Sequence, residues 1–174
     1  MAHSDLRDPV SCKFTQDGVV PIADTPFDEF ERGLLSITRH FFASFETPAV
    51  QSWRFAYGIS AERWGESIGF AAAHKLHKVV LATLAARDDA FGFLDPLSPE
   101  ARLNATADEI QLLKMLHHMR RDQTPLARDA VEQICGGLCD PSLVRAGLSF
   151  AQRFSLGSEV ARQRPTKSHL RVVE

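Results

Sequence analysis

The sequence predicts an all-α fold: a single-domain orthogonal or irregular bundle of about five helices, with flexible tails at both ends. Three observations lead there. Side-chain oxygens recur just ahead of apolar segments, at Thr25-Pro26, Ser60 before Glu62, Ser98-Pro99, Thr106 with Glu109, Thr124-Pro125 and Asp140-Pro141. Each offers an acceptor to the backbone N–H groups that a helix start leaves unpaired. Apolar residues then repeat every three or four positions, and Gly136-Gly137 and Gly157 stand where helices would stop.

Residues 1–24 are polar and broken by Pro9, Gly18 and Pro21, which predicts a loosely ordered arm ahead of a helical domain over 25–157. The first helix is expected over 26–45. Phe27, Phe30, Leu34, Ile37, Phe41 and Phe45 form its apolar stripe, with Asp28, Glu31, Arg32 and Arg39 on the opposite side. Leu35 and Phe42, seven residues apart, widen that stripe, so the helix touches two neighbours or contributes to a homodimer contact. In phenylalanine content alone this helix resembles the opening of tetracycline-repressor-type regulators. The helix-turn-helix expected after it is missing, and the resemblance assigns no family.

Residues 46–59 contain Pro48 and Gly58, with aromatics alternating at Trp53, Phe55 and Tyr57, and read as a loop that is briefly extended. A second, long helix is expected over 61–87 from Trp64, Ile68, Ala72, Leu76, Val80 and Leu84. Phe70, Ala73, His77 and Leu81 add a second apolar line, predicting a central helix buried on more than one side. Residues 88–99 form a turn-rich linker whose Phe91 and Phe93 tuck into the core, followed by a short helical turn over 99–103. Third, fourth and fifth helices are expected over 107–121, 125–135 and 141–156. The basic tail over 158–174, with Arg162, Arg164, Lys167 and Arg171, lacks apolar periodicity.

With 174 residues, 44% hydrophobic and 24% charged, the chain matches an ordinary soluble domain. Such a length buries roughly 70% of the surface an unfolded chain exposes. A net charge of -2 gives no general attraction to nucleic acid or acidic lipid. The first twenty residues lack the basic start and apolar run of a secretory signal. The longest apolar run, over 79–86, falls far short of the ~20 residues that cross a bilayer. Cys12, Cys135 and Cys139 form no disulfide framework. A cytoplasmic location without membrane association is expected.

Of fifteen aromatic residues, eight crowd into 41–70: Phe41, Phe42, Phe45, Trp53, Phe55, Tyr57, Trp64 and Phe70. With Arg54 and Arg63 at the edge, Trp53, Tyr57, Trp64 and Phe70 are candidates to line a pocket for a flat or acyl ligand bearing an anion. The competing reading is a core of three packed elements with snorkelling arginines. His74 and His77, three apart, together with Cys135 and Cys139 would complete a tetrahedral zinc shell. Ordinary burial of histidine and cysteine competes with that reading. His117 and His118 point about a third of a turn apart and cannot share an ion. No Glu-x-x-His pair, phosphate-cradling glycine loop or Cys-x-x-Cys-His occurs, so no cofactor is assigned.

Gly147-Leu148-Ser149-Phe150-Ala151 approaches the nucleophile elbow of hydrolases but lacks its last glycine and lies in a helical pattern. Residues 130–148 hold two helices joined by a glycine-containing turn, longer than a DNA-reading helix-turn-helix uses. Arg120, Arg121, Arg128 and Arg145 are its candidate phosphate contacts. The leading expectation is a non-enzymatic cytoplasmic regulatory or adaptor protein that binds a partner protein or small ligand near the aromatic cluster. The alternatives are a DNA-binding regulator using the fourth and fifth helices, and a metal-dependent enzyme or zinc-binding protein.

Overall fold

A computed structural model of the chain describes residues 12–14 and 18–156. Expectations for the rest, including Gly157 and the basic tail, lie outside the described residues. The fold is all-α, a bundle of five helices: α1 Glu29–Glu46, α2 Trp53–Ala85, α3 Ala107–Arg120, α4 Thr124–Ile134 and α5 Pro141–Arg153. α1 packs on α2, α2 on α5, and α3 on both α4 and α5. Among the described residues no helix is long and apolar enough to cross a membrane.

Four short strands fasten the ends of the bundle. β1 (Cys12–Phe14) pairs in parallel with β3 (Phe91–Phe93), and β2 (Val20–Pro21) pairs antiparallel with β4 (Asn104–Ala105). Parts of the segment read as an arm are thus strand-paired. β3 carries Phe91 and Phe93 fully into the core, as the linker phenylalanines were expected to go. Phe42 stacks on Phe91 at 4.2 Å between ring centres. Leu35 and Phe42 are therefore buried within the chain, and neither is available for the homodimer contact considered above.

The start of α1 departs from expectation. Asp28, not Thr25, caps it, accepting from the Glu31 N–H while Glu31 reaches back to the Asp28 N–H. The Thr25 hydroxyl instead donates to the Ile22 carbonyl at 2.6 Å. Glu31 and Arg39, expected on a solvated face, are buried. The start signals at Thr106 and Asp140 hold, with a capping box at Thr106–Glu109 and Asp140 accepting from the Ser142 and Leu143 N–H groups. Thr124 lies inside α4 and makes no cap, but Gly136 and Gly137 follow that helix with φ of 66° and 103°, as a left-handed stop requires.

The largest correction is α2. It begins at Trp53, so the expected loop over 53–59 is helical, and it is not straight. Gly65 breaks it with φ 76° and ψ 158°, a conformation that a residue with a side chain rarely adopts. Nine residues of straight helix span ~13.5 Å, yet the Ser60 hydroxyl donates to the Gly69 carbonyl at 2.7 Å. The helix therefore folds into two arms, 53–64 and 66–85. Gly69 lies so close to the Ser60 carbonyl that a methyl there would collide with backbone. Ser60 is thus a bend residue and not the helix start its sequence context suggests.

Candidate functional site

The bend splits the aromatic cluster in two. On the inner side Phe41 and Phe42 are buried, and Trp64 lies on Phe30 with ring centres 4.7 Å apart. On the outer side Trp53, Phe55 and Phe70 remain 47%, 56% and 45% exposed. Three rings touch one another across both arms of α2, Trp53 meeting Tyr57 at 6.4 Å and Tyr57 meeting Phe70 at 6.3 Å, while Phe55 lies instead on His40 at 5.6 Å. Tyr57 stands edge-on to Phe41 at 5.8 Å, which anchors this face to the core. Phe70 and Leu81, read as part of a second buried line, point outward, so α2 is buried along fewer sides than its sequence suggests.

Arg54 and Arg63 part company. Arg54 is exposed, whereas Arg63 turns toward α1 and, with Trp64, occupies the space that a side chain at Gly33 would fill. Of the six residues proposed for one ligand pocket, Trp53, Tyr57 and Phe70 thus lie on the outer aromatic face and Arg63 and Trp64 on the α1 side, while Arg54 is exposed apart from both.

Among the described residues the buried charges fall into two networks. In the first, Arg39 Nε and Nη2 donate to the two Glu109 oxygens at 2.6 and 2.9 Å. Two further Arg39 donors go to the Ala101 and Asn104 carbonyls, and Glu109 also accepts from the Thr106 and Leu94 N–H groups. In the second, Glu31 accepts from Arg120 at 2.6 Å, Arg121 at 2.5 Å and His117 Nδ1 at 2.9 Å. Arg120 also bonds Asp28 and the Phe154 carbonyl and lies over the Phe30 ring at 4.7 Å. Burial pushes the Glu31 and Asp28 carboxyls up. For Glu31, hydrogen bonds from Arg121, His117 and the Asp28 N–H outweigh it; for Asp28, the Glu31 N–H and Arg120 do. Both end below their ordinary values.

This second network removes two of the four proposed DNA contacts. Arg120 is buried and Arg121 is paired with Glu31 and Asp28, so neither faces a phosphate. Arg128 is exposed but paired with Glu132 at 2.9 Å, and Arg145 is exposed. The hydrolase-like stretch is also structural. Gly147 packs against Met119 in mid-helix, and Ser149 accepts from Lys75 at 2.6 Å.

The four proposed zinc ligands do not converge: among the described residues no group of three or more histidine, cysteine or acidic side chains is placed to hold a metal ion. His77 stacks on Phe41 at 4.8 Å, and burial, helped by the charge of His74, holds its pKa below the ordinary value. His74 and Cys139 are exposed, while burial pushes the half-buried Cys135 thiol up. The remaining buried histidine, His40, bonds Ser52 at 2.8 Å through Nδ1, and burial holds its pKa below the ordinary value against the pull of Asp95. No family model, curated protein or solved structure matches the chain.

Proposed function

We propose that the chain is a non-enzymatic, cytoplasmic helical adaptor whose outer α2 face, built from Trp53, Tyr57 and Phe70, seats a partner protein. The observation that carries this reading is the mutual contact of these rings at the surface while the core beneath them is already filled. Fully burying an exposed apolar side chain is worth about 1.5–3 kcal/mol, and a ring that is half exposed still holds about half of that. Contiguous exposed apolar surface marks interaction sites, and Trp and Tyr dominate the energetics of protein interfaces. The face is pre-organised, because the Gly65 bend and the Tyr57–Phe41 contact fix the rings before any partner arrives. Free Cys135 and Cys139 suit a reducing compartment.

The test is in-cell cross-linking in the native host, identification of the captured protein, and titration of that purified protein against this chain. Trp53→Ala with Phe70→Ala should weaken binding at least tenfold while the helical circular dichroism signal stays unchanged. Equal affinity for the double variant refutes the reading. A concentration-dependent dimer abolished by the same pair of substitutions would replace the partner by a second copy of the chain.

A further inference from the structure

We infer that a groove between α1, the first arm of α2 and the 96–102 segment is a binding site for a small organic phosphate. The groove encloses about 800 Å³ and shares no lining residue with the outer aromatic face. That volume falls within the range of small-molecule sites, roughly 300–1,000 Å³. Four arginines line it: Arg32, Arg39, Arg63 and Arg102. Arg39 is neutralised by Glu109 and forms the fixed floor.

The other three side chains belong to exposed residues, and among the described residues none has a carboxylate within ion-pair reach. Arg32 makes only a long 3.5 Å bond to the Asp28 carbonyl. Among the described side chains one carboxylate, that of Glu29, lines the groove. Among the described lining side chains, three unpaired arginines stand against the single carboxylate of Glu29, in a chain whose net charge is -2. Such a reversal concentrates anions at the groove.

The ligand class follows from the donors. Each guanidinium presents a planar fork that matches two oxygens of one anion. A phosphate monoester brings about -1.5 to -2 charge and three acceptor oxygens to several forks at once, where a monocarboxylate brings one charge and two oxygens. Half-buried Ile59 supplies apolar surface for the organic part of the molecule. Gly33 makes the arrangement possible, since a side chain there would displace Arg63.

Calorimetric titration of the full chain with adenosine monophosphate, pyrophosphate, adenosine and citrate tests the assignment. Saturable binding of adenosine monophosphate or pyrophosphate is expected, weakening as salt rises. Arg63→Ala with Arg102→Ala should reduce it at least tenfold, and Arg63→Lys should fall between, because charge is kept while the fork is lost. Arg54→Ala, outside the groove, should leave it unchanged, and Glu29→Gln should tighten it. Both arginines are exposed, so melting curves should show the variants folded. The assignment is overturned by absence of saturable binding to either phosphate probe at low salt, by undiminished binding to the double variant, or by preference for citrate or adenosine.

Discussion

The interior of this bundle holds charges and part of its surface holds aromatics, the reverse of what polarity alone would arrange. Arg39, Glu109, Glu31 and Arg120 are buried, while Trp53, Phe55 and Phe70 stand about half in water. The difference lies in partnership. Among the described residues every buried polar side-chain atom has a hydrogen-bond partner, so the charges are spent on structure. The outer rings have used only part of their surface, so they keep binding energy in reserve. The comparison separates residues that hold the fold from residues that face outward for a ligand or partner.

The sharpest way to break the comparison is Arg39→Ala. It strands the buried Glu109 carboxylate and should cost about 3–5 kcal/mol in urea unfolding. Replacing both members, with Arg39→Met and Glu109→Leu, should cost less than the single change, because no uncompensated charge remains. A single variant as stable as the parent would show that the pair carries no structural weight.

Next in size is Gly69→Ala, which drives a methyl into the Ser60 carbonyl and should cost about 1–3 kcal/mol. Unchanged stability would mean that the two arms of α2 are not clasped at this point.

Acid probes the second network. The folded-state pKa values of Glu31 and Asp28 lie below their ordinary 4.5 and 3.8, so the stability they contribute is complete above those values and is lost as pH falls below them. His40 and His77, whose pKa values burial lowers, act with the same sign from higher pH. Below the ordinary 6.5 the unfolded chain takes up protons before the folded one does. The melting temperature should therefore begin to fall below about 6.5 and fall faster below about 4.5. Glu31→Gln should flatten the second step, and a level profile through both ranges would contradict the network.

The smallest effect belongs to the surface. Phe70→Ala should change stability by no more than about 0.5 kcal/mol, even though the same chemical change at buried Phe91 would cost about 3–5 kcal/mol. A large loss at Phe70 would assign it to the core and remove it from the proposed docking face.

What was readable in the sequence was local. The capping box of Thr106 and Glu109, the Asp140 cap and the Gly136-Gly137 stop each complete themselves within a few residues, so composition and spacing disclose them. The first arm of α2 escaped because its buried positions, Ala56 and Ser60, are too small to register as apolar periodicity, leaving the aromatic alternation to suggest an extended loop. The charged networks escaped for another reason. Arg39 and Glu109 lie 70 residues apart and Glu31 and Arg120 lie 89 apart, and no local pattern announces such pairings. Of the groove, Arg63 was singled out by its chemistry, but Arg32 and Arg102 join it only through packing.

The break at Gly65 has a reach beyond its own position. Arg63 stands two places before it and Phe70 five places after, on opposite arms. One backbone torsion thus sets the heading of both. A lineage that altered residue 65 would re-aim the cationic recess and the ring-bearing face in a single step, without touching a residue in either.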